Sequence, residues 1–281
     1  MSRPKIEIHL VGLNRSLSRT SPSIERELAS PFRRQKKMDC VFRLWLIDSE
    51  EIVNNRWSKE LGHLETEIPP RLADFRVARL PETRLRETIS GLARSLTEIE
   101  DTWGDGGVTI ENALVYLRAL TVAAESISAD CDLVVLARPD IRINGRLGIL
   151  RLVKRALSRV EAGKPTTFLP AWGKYGGFND RFAIMPRQNA AILMNRLDDV
   201  PALVESQNRF HSEEFMRFAC RDIRTESSIQ TTMSRVRLDG TTPRHDYNIE
   251  RERRLVFRIW TKIRKMFLRR FRNARVGCVS R

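Results

Sequence analysis

The run Leu133-Val-Val-Leu-Ala137, followed at once by Arg138-Pro139-Asp140, constrains this chain more than any other stretch. Five apolar residues without alternation are what a parallel strand covered on both faces requires, and Pro139 ends the ladder by removing a backbone donor. Asp140 is thereby placed at the carboxyl end of a central strand. In open α/β sheets the loops leaving those ends surround a crevice that the packed sheet holds rigid, and ligands bind there. An aspartate after proline is also ordinary turn chemistry, so the position alone supports both readings.

The surrounding pattern supplies the rest of a layered fold. Lys5 to Gly12 reads as a first strand with Gly12-Leu-Asn-Arg15-Ser16 as its exit loop, and Cys40 to Ile47 as a second strand. Between them Pro22, Ile24, Leu28 and Phe32 form an apolar stripe, which predicts a helix capped by Ser21 with Pro22 in its first turn. Asn112 to Ser128 has apolar residues recurring at three and four, the period of a helix lying on a sheet. Helices are also predicted over Ile149 to Val160, Pro186 to Leu197 and Ser212 to Cys220, a short strand over Thr166 to Pro170, and an extended segment over Ile229 to Leu238. Strands alternating with helices argue for an α/β fold with a mainly parallel sheet. Residues 48–109 carry Pro69-Pro70, Pro81 and a glycine-rich loop, and no order of elements is legible there.

A formal charge of +15 on 281 residues suggests nucleic acid until its distribution is considered. Residues 250–281 hold +10 of it, so the chain divides into a body, 1–249, and a basic tail, 250–281. In the tail Val256, Trp260, Ile263, Phe267 and Phe271 fall at helical spacing among Arg and Lys. This is a basic amphipathic helix, suited to an anionic membrane surface at about 1 kcal/mol per cation. Without recognition chemistry elsewhere the tail argues weakly for nucleic acid, and its apolar stripe could also dock on the body. No window approaches the ~18 consecutive apolar residues of a spanning helix. The four cysteines are scattered, with no paired spacing for zinc or a disulfide framework. These features predict a cytoplasmic protein, peripheral to the inner face of the membrane.

The second informative stretch is Lys174-Tyr-Gly-Gly-Phe-Asn-Asp-Arg-Phe182. Gly176 and Gly177 allow close backbone approach, while Asn179, Asp180 and Arg181 offer donors, acceptors and charge. A tight turn ahead of the next helix accounts for the same residues. Trp172 and Tyr175 suit either stacking on a sugar or base, or the core.

Gly12-Leu-Asn-Arg15, Arg138-Pro-Asp140, Gly176-Gly-Phe-Asn-Asp-Arg-Phe182 and His211-Ser-Glu-Glu214 together resemble a poorly characterised group of GT-A-type glycosyltransferase-like proteins, over roughly residues 5 to 248. The resemblance implies a Rossmann-like GT-A fold with a nucleotide-sugar across the carboxyl edge of the sheet, and transfer of the sugar to a glycan or lipid-linked acceptor in polysaccharide biosynthesis. It places Asp140 where an acid holds a divalent cation, Mn or Mg, on the diphosphate, with His245 completing the metal shell. Gly12, Arg15, Arg138, Gly176, Gly177, Asn179 and Arg181 join Asp140 as donor-binding candidates. Glu213 or Glu214, at the start of a late helix, is implied as the base, with Asp180 as the competing base or a sugar ligand. The usual motif has two acids around one residue, whereas Arg138 stands where the first would be. Arg138 or Arg142 could therefore neutralise phosphate directly, and Arg235 and Arg237 would share one face of a strand. Two other readings remain open. Gly12-x-x-Arg15-Ser16 has residues of a sulfotransferase-like phosphate loop but lacks its lysine, and a non-catalytic adaptor would act through the tail.

Overall fold

The computed structural model describes residues 3–49, 53–55, 60–96, 99–100 and 104–243. The basic tail and His245 lie outside them. In chain order the strands are β1 (Lys5–Leu13), β2 (Asp39–Asp48), β3 (Val53–Asn55), β4 (Glu60–Gly62), β5 (Arg76–Pro81), β6 (Leu133–Ala137), β7 (Ile141–Ile143), β8 (Thr167–Pro170), β9 (Phe182–Pro186), β10 (Thr225–Ile229) and β11 (Met233–Arg235). The α-helices are α1 (Leu17–Ile24), α2 (Ser30–Arg33), α3 (Glu82–Ser95), α4 (Val108–Ala124), α5 (Ile149–Glu161), α6 (Arg187–Met194), α7 (Val200–Gln207) and α8 (Ser212–Ala219).

Seven strands form one sheet in the order β10-β8-β9-β6-β1-β2-β5. All neighbours are parallel except β9, which runs antiparallel between β6 and β8. The mainly parallel α/β sheet expected from the sequence is thus present. From β1 the chain builds outward through β2 to β5, then returns to the other side of β1 as β6. That reversal is a topological switch point at the carboxyl ends of β1 and β6, the position at which open α/β sheets bind ligands. Gly12–Arg15 and Arg138–Asp140 leave from those two ends.

All five residues of β6 are buried, as an unbroken apolar run requires. On one face of the sheet Val11, Val134, Leu136 and Met185 pack with the apolar sides of α4, α6 and α8. Strand alternation turns Glu7 and His9 to the same side as Val11. Both are buried, and a network accounts for them: Glu7 accepts from Ser128 N at 2.9 Å, Arg43 Nε at 3.0 Å and His9 Nε2 at 3.0 Å. Trp45 Nε1 donates to His9 Nδ1 at 3.2 Å, which leaves the His9 proton on Nε2. Burial alone would raise the Glu7 carboxyl, yet these donors and the Arg43 charge hold it down at about 2. The polar residues that interrupt the first apolar run are therefore a lock between β1, β2 and the turn before β6.

Several predicted boundaries move. The first helix begins at Leu17 behind Ser16, not at Ser21, and Pro22 lies inside it. Pro22 cannot bond the Ser18 carbonyl; the Ser21 hydroxyl donates there instead at 3.4 Å, and a π-helical turn, Glu25–Ala29, follows. The extended segment expected from Ile229 to Leu238 divides into the end of β10 and the short β11. Strand β9 was hidden, because Phe182 reads as the end of a polar loop and Pro186 as the start of a helix. Residues 48–109 contribute the β3–β4 hairpin, the edge strand β5 and α3. Among the described residues no helix is long and apolar enough to cross a membrane.

Candidate active site

Glycine brings the two strand exits together. Gly12 has φ +146°, and a Cβ there would stand 3.2 Å from Pro139 Cδ. Thr20 and Ser16 hold the approach from the helix that follows β1: the Thr20 hydroxyl donates to Pro139 O at 2.7 Å, and that of Ser16 to Val236 O at 2.8 Å. Val236 N donates to Asp140 O at 2.8 Å, so the end of the β7–β11 ribbon straps the same corner. With its hydroxyl committed to Val236, Ser16 does not form a phosphate loop of the sulfotransferase type.

At this corner Asp140 is fully buried and doubly engaged. Arg138 donates to it in a fork, Nε to Oδ1 and Nη2 to Oδ2, both at 2.9 Å. Arg15 Nε lies 3.4 Å from Oδ2. Burial disfavours the Asp140 anion, but the Arg138 charge and hydrogen bonds, with Arg15 and Arg235 behind them, hold its carboxyl far below the usual range. Arg138 in turn stacks 5.1 Å over the Tyr116 ring. The Tyr116 hydroxyl has no hydrogen-bond partner among the described residues, and burial pushes it up to about 12. Tyr116 went unread in the sequence, where it sits among the apolar positions of α4. Its one signal is a hydroxyl on a helix face otherwise buried in the core.

The opposite wall is the loop Trp172–Arg181 with the start of α8. Phe178 N donates to Glu213 O at 2.8 Å, and a Cβ at Gly177 would overlap the Glu213 carbonyl. Gly177 is thus required by the approach of the α8 backbone. Gly177→Ala is expected to cost at least the ~1–3 kcal/mol of overpacking a filled site, with thermal melts as the check. Asn179 is buried, accepting from Arg181 N at 3.0 Å and donating to Gly173 O at 3.3 Å, so it shapes the loop. Arg181 donates to Met233 O at 3.0 Å and covers the face of Trp172, whose indole N–H bonds Thr231 O at 3.0 Å. Trp172 is therefore a core residue, while Tyr175, with φ +38°, stands exposed on the rim.

The two glutamates of α8 diverge. Glu214 accepts from Arg209 at 2.8 Å and lies under Gly176. Glu213, its side chain only 15% exposed, is 3.3 Å from His211 Nδ1. Burial and the neighbouring Asp180 charge push the Glu213 carboxyl up to about 7, against the pull of Arg181 and Arg235. Arg235 thus acts on both Glu213 and Asp140, and Asp180 on Glu213, Tyr116 and Arg138. These couplings join the two walls into one charged site. Arg142 turns outward from β7 toward Thr242, and Arg237 lies in a turn beyond β11.

The cation implied for Asp140 does not fit this arrangement. Mg, Mn and Ca take oxygen ligands, and both Asp140 oxygens already accept guanidinium donors in a position closed to solvent. Among the described residues no three His, Cys, Asp or Glu gather as a ligand set. His245 lies outside the described residues.

The body is a Rossmann-like α/β layer with an arginine-held carboxylate at its switch point. No protein-family model matches the chain, and no curated protein matches it. Solved structures do. Mouse xyloside xylosyltransferase 1, apo form, matches with TM-score 0.41 and 9% identity, covering 81% of this chain and 85% of that one. The galactosyltransferase LgtC in complex with donor and acceptor sugar analogs matches with TM-score 0.41 and 13% identity, covering 79% and 72%. The glycosyltransferase GlyE of Streptococcus pneumoniae TIGR4 matches with TM-score 0.35 and 10% identity, covering 80% and 45%.

Proposed function

We propose that the chain is a GT-A-type glycosyltransferase that moves a sugar from a nucleotide-sugar donor to a glycan or lipid-linked acceptor. The observation that carries this reading is the juxtaposition, at the carboxyl edge of the sheet, of an arginine-held corner with a glutamate poised to exchange a proton near neutral pH. Glycosyl transfer needs both. As the bond between the anomeric carbon and the diphosphate breaks, negative charge grows on the leaving oxygen, and preorganised cations stabilise it there. As the acceptor oxygen bonds to that carbon, its proton must leave, and Glu213 is placed to take it. Asp180 raises the basicity of Glu213 and is the remaining candidate for a sugar hydroxyl. The fold and the Gly-Gly-Phe-Asn-Asp-Arg-Phe loop support the same assignment by resemblance.

The amphipathic pattern of residues 250–281 supports placement on an anionic membrane surface at the cytoplasmic face, where a lipid-linked acceptor would be met. Incubation with UDP-, GDP- and CDP-sugars is expected to raise the melting temperature, because a ligand bound only to the native state stabilises by mass action. Release of the nucleoside diphosphate is expected in the presence of the acceptor. Absence of both effects with every donor at millimolar concentration would overturn the reading.

A further inference from the structure

We infer that Tyr116 recognises the donor sugar: its buried hydroxyl and the Asp180 carboxylate form a donor and acceptor pair that takes one hydroxyl of that sugar. The inference rests on the function proposed above and adds to it a residue and the group that residue reads. Strands β6 and β9 pair Ala137 with Phe182, so the chain leaving β6 through Arg138 and the chain reaching β9 through Asp180 lie side by side. Tyr116 comes to the same place from α4, its ring stacked 5.1 Å from the Arg138 guanidinium carbon. The residue is 8% exposed, and its hydroxyl is closed to solvent with no hydrogen-bond partner among the described residues. Asp180, half-buried, neither accepts a hydrogen bond nor enters an ion pair among the described residues. Asn179 Oδ1 accepts from Arg181 N at 3.0 Å, a turn that spans Asp180 and fixes the backbone from which its carboxylate extends.

A buried hydroxyl without a partner is costly, where phenylalanine would fill the same space without penalty. A ligand oxygen offered to that hydroxyl recovers the cost on binding. Burial keeps the tyrosine protonated, so it donates at neutral pH. The charges acting on it are opposed, Arg138 and Arg196 against Asp180 and Asp140, which suits a neutral ligand group better than a charged one. A sugar hydroxyl both accepts and donates, and each half has its complement here. The Tyr116 O–H donates to the sugar oxygen, and the sugar O–H donates to the Asp180 carboxylate. Ionised phosphate oxygens only accept, and Asp180 would repel them.

The test is Tyr116→Phe in the full-length protein, read by thermal melting without ligand and by titration calorimetry with UDP-, GDP- and CDP-sugars and with UDP, GDP and CDP. Phenylalanine keeps the ring over Arg138 and removes only the hydroxyl. The variant is expected to melt at or above the wild type and to bind the nucleoside diphosphate unchanged. It is expected to bind the matching nucleotide-sugar about 3- to 10-fold more weakly, the loss of one neutral hydrogen bond. Asp180→Asn, which keeps an acceptor without the charge, is expected to weaken the same nucleotide-sugar and not the diphosphate. One deoxy form of the sugar should bind wild type and Tyr116→Phe alike. A variant that melts well below the wild type has lost a bond within the fold, which overturns the inference. Unchanged affinity for every nucleotide-sugar that the wild type binds, or equal weakening of sugar and diphosphate, overturns it too. In each of these cases the glycosyltransferase reading stands as long as the wild type binds a nucleotide-sugar. If the wild type binds none, that reading falls and the inference with it.

Discussion

Asp140→Ala is expected to destabilise the protein by about 3–5 kcal/mol, because it removes the fully buried carboxylate that takes the two-pronged ion pair of Arg138. For a domain of this size that lowers the melting temperature by roughly 6–20 °C. The cost arises from the broken ion pair and not from the cavity, which separates this prediction from ordinary core damage. A double substitution, Arg138→Met with Asp140→Leu, removes both members of the tightest pair and fills the same space with apolar atoms. Such replacements are often neutral or stabilising. The double variant is therefore expected to melt well above Asp140→Ala. Asp140→Asn falls between them, keeping shape and one acceptor but no charge. Denaturant unfolding of the three variants decides the matter. If Asp140→Ala melts like the wild type, the pair contributes nothing to the fold and the carboxylate must be assigned a different role.

The same residues show where sequence reading reached its limit. The place of Asp140 was legible, because an uninterrupted apolar run ended by proline has few ways to sit in a sheet, and the switch point then fixes what lies beside it. Its partners were less legible. The fork from Arg138 spans two residues along the chain, and its counterpart from Arg15 crosses between strands that only the completed sheet brings together. In the sequence Gly177 reads as a place for a ligand to approach, and the backbone that approaches it is that of Glu213. A loop that welcomes close contact looks the same in sequence whether the neighbour is a substrate or a helix. Tyr116 and the Glu7–His9 lock were hidden for the opposite reason: a polar group in an apolar pattern declares its burial but not its partners. Strand β9 was lost because it begins on the last residue of the polar loop. It is also the antiparallel member of the sheet, outside the strand-then-helix rhythm that revealed the others.

Glu213→Gln is expected to abolish proton transfer and to stabilise the protein, with both effects set by pH. The Glu213 carboxyl is raised to about 7 in the folded state, against ~4.3 for an unperturbed glutamate in the unfolded chain. Between those values the folded state binds the proton that the unfolded state has released. The contribution of this group to stability is therefore fully present below about pH 4.3 and is lost as pH rises through 7. Glutamine has the shape of the protonated form and never ionises. Wild type and Glu213→Gln should melt together in acid and diverge above neutrality, with the variant more stable by up to about 3 kcal/mol at pH 8. Activity should move the other way. The wild-type rate should rise through pH 7 as the base ionises, and the variant should be slower by about 10²- to 10⁴-fold and lack that rise. The two readouts together distinguish a base from a capping residue, since an ordinary first-turn glutamate would lose a few tenths of a kcal/mol on neutralisation and leave the rate profile alone. Parallel melting curves across the range, or a variant that keeps the wild-type rate, would remove Glu213 from the chemistry. The proton would then have to be taken by Asp180, the other carboxylate on this wall of the site.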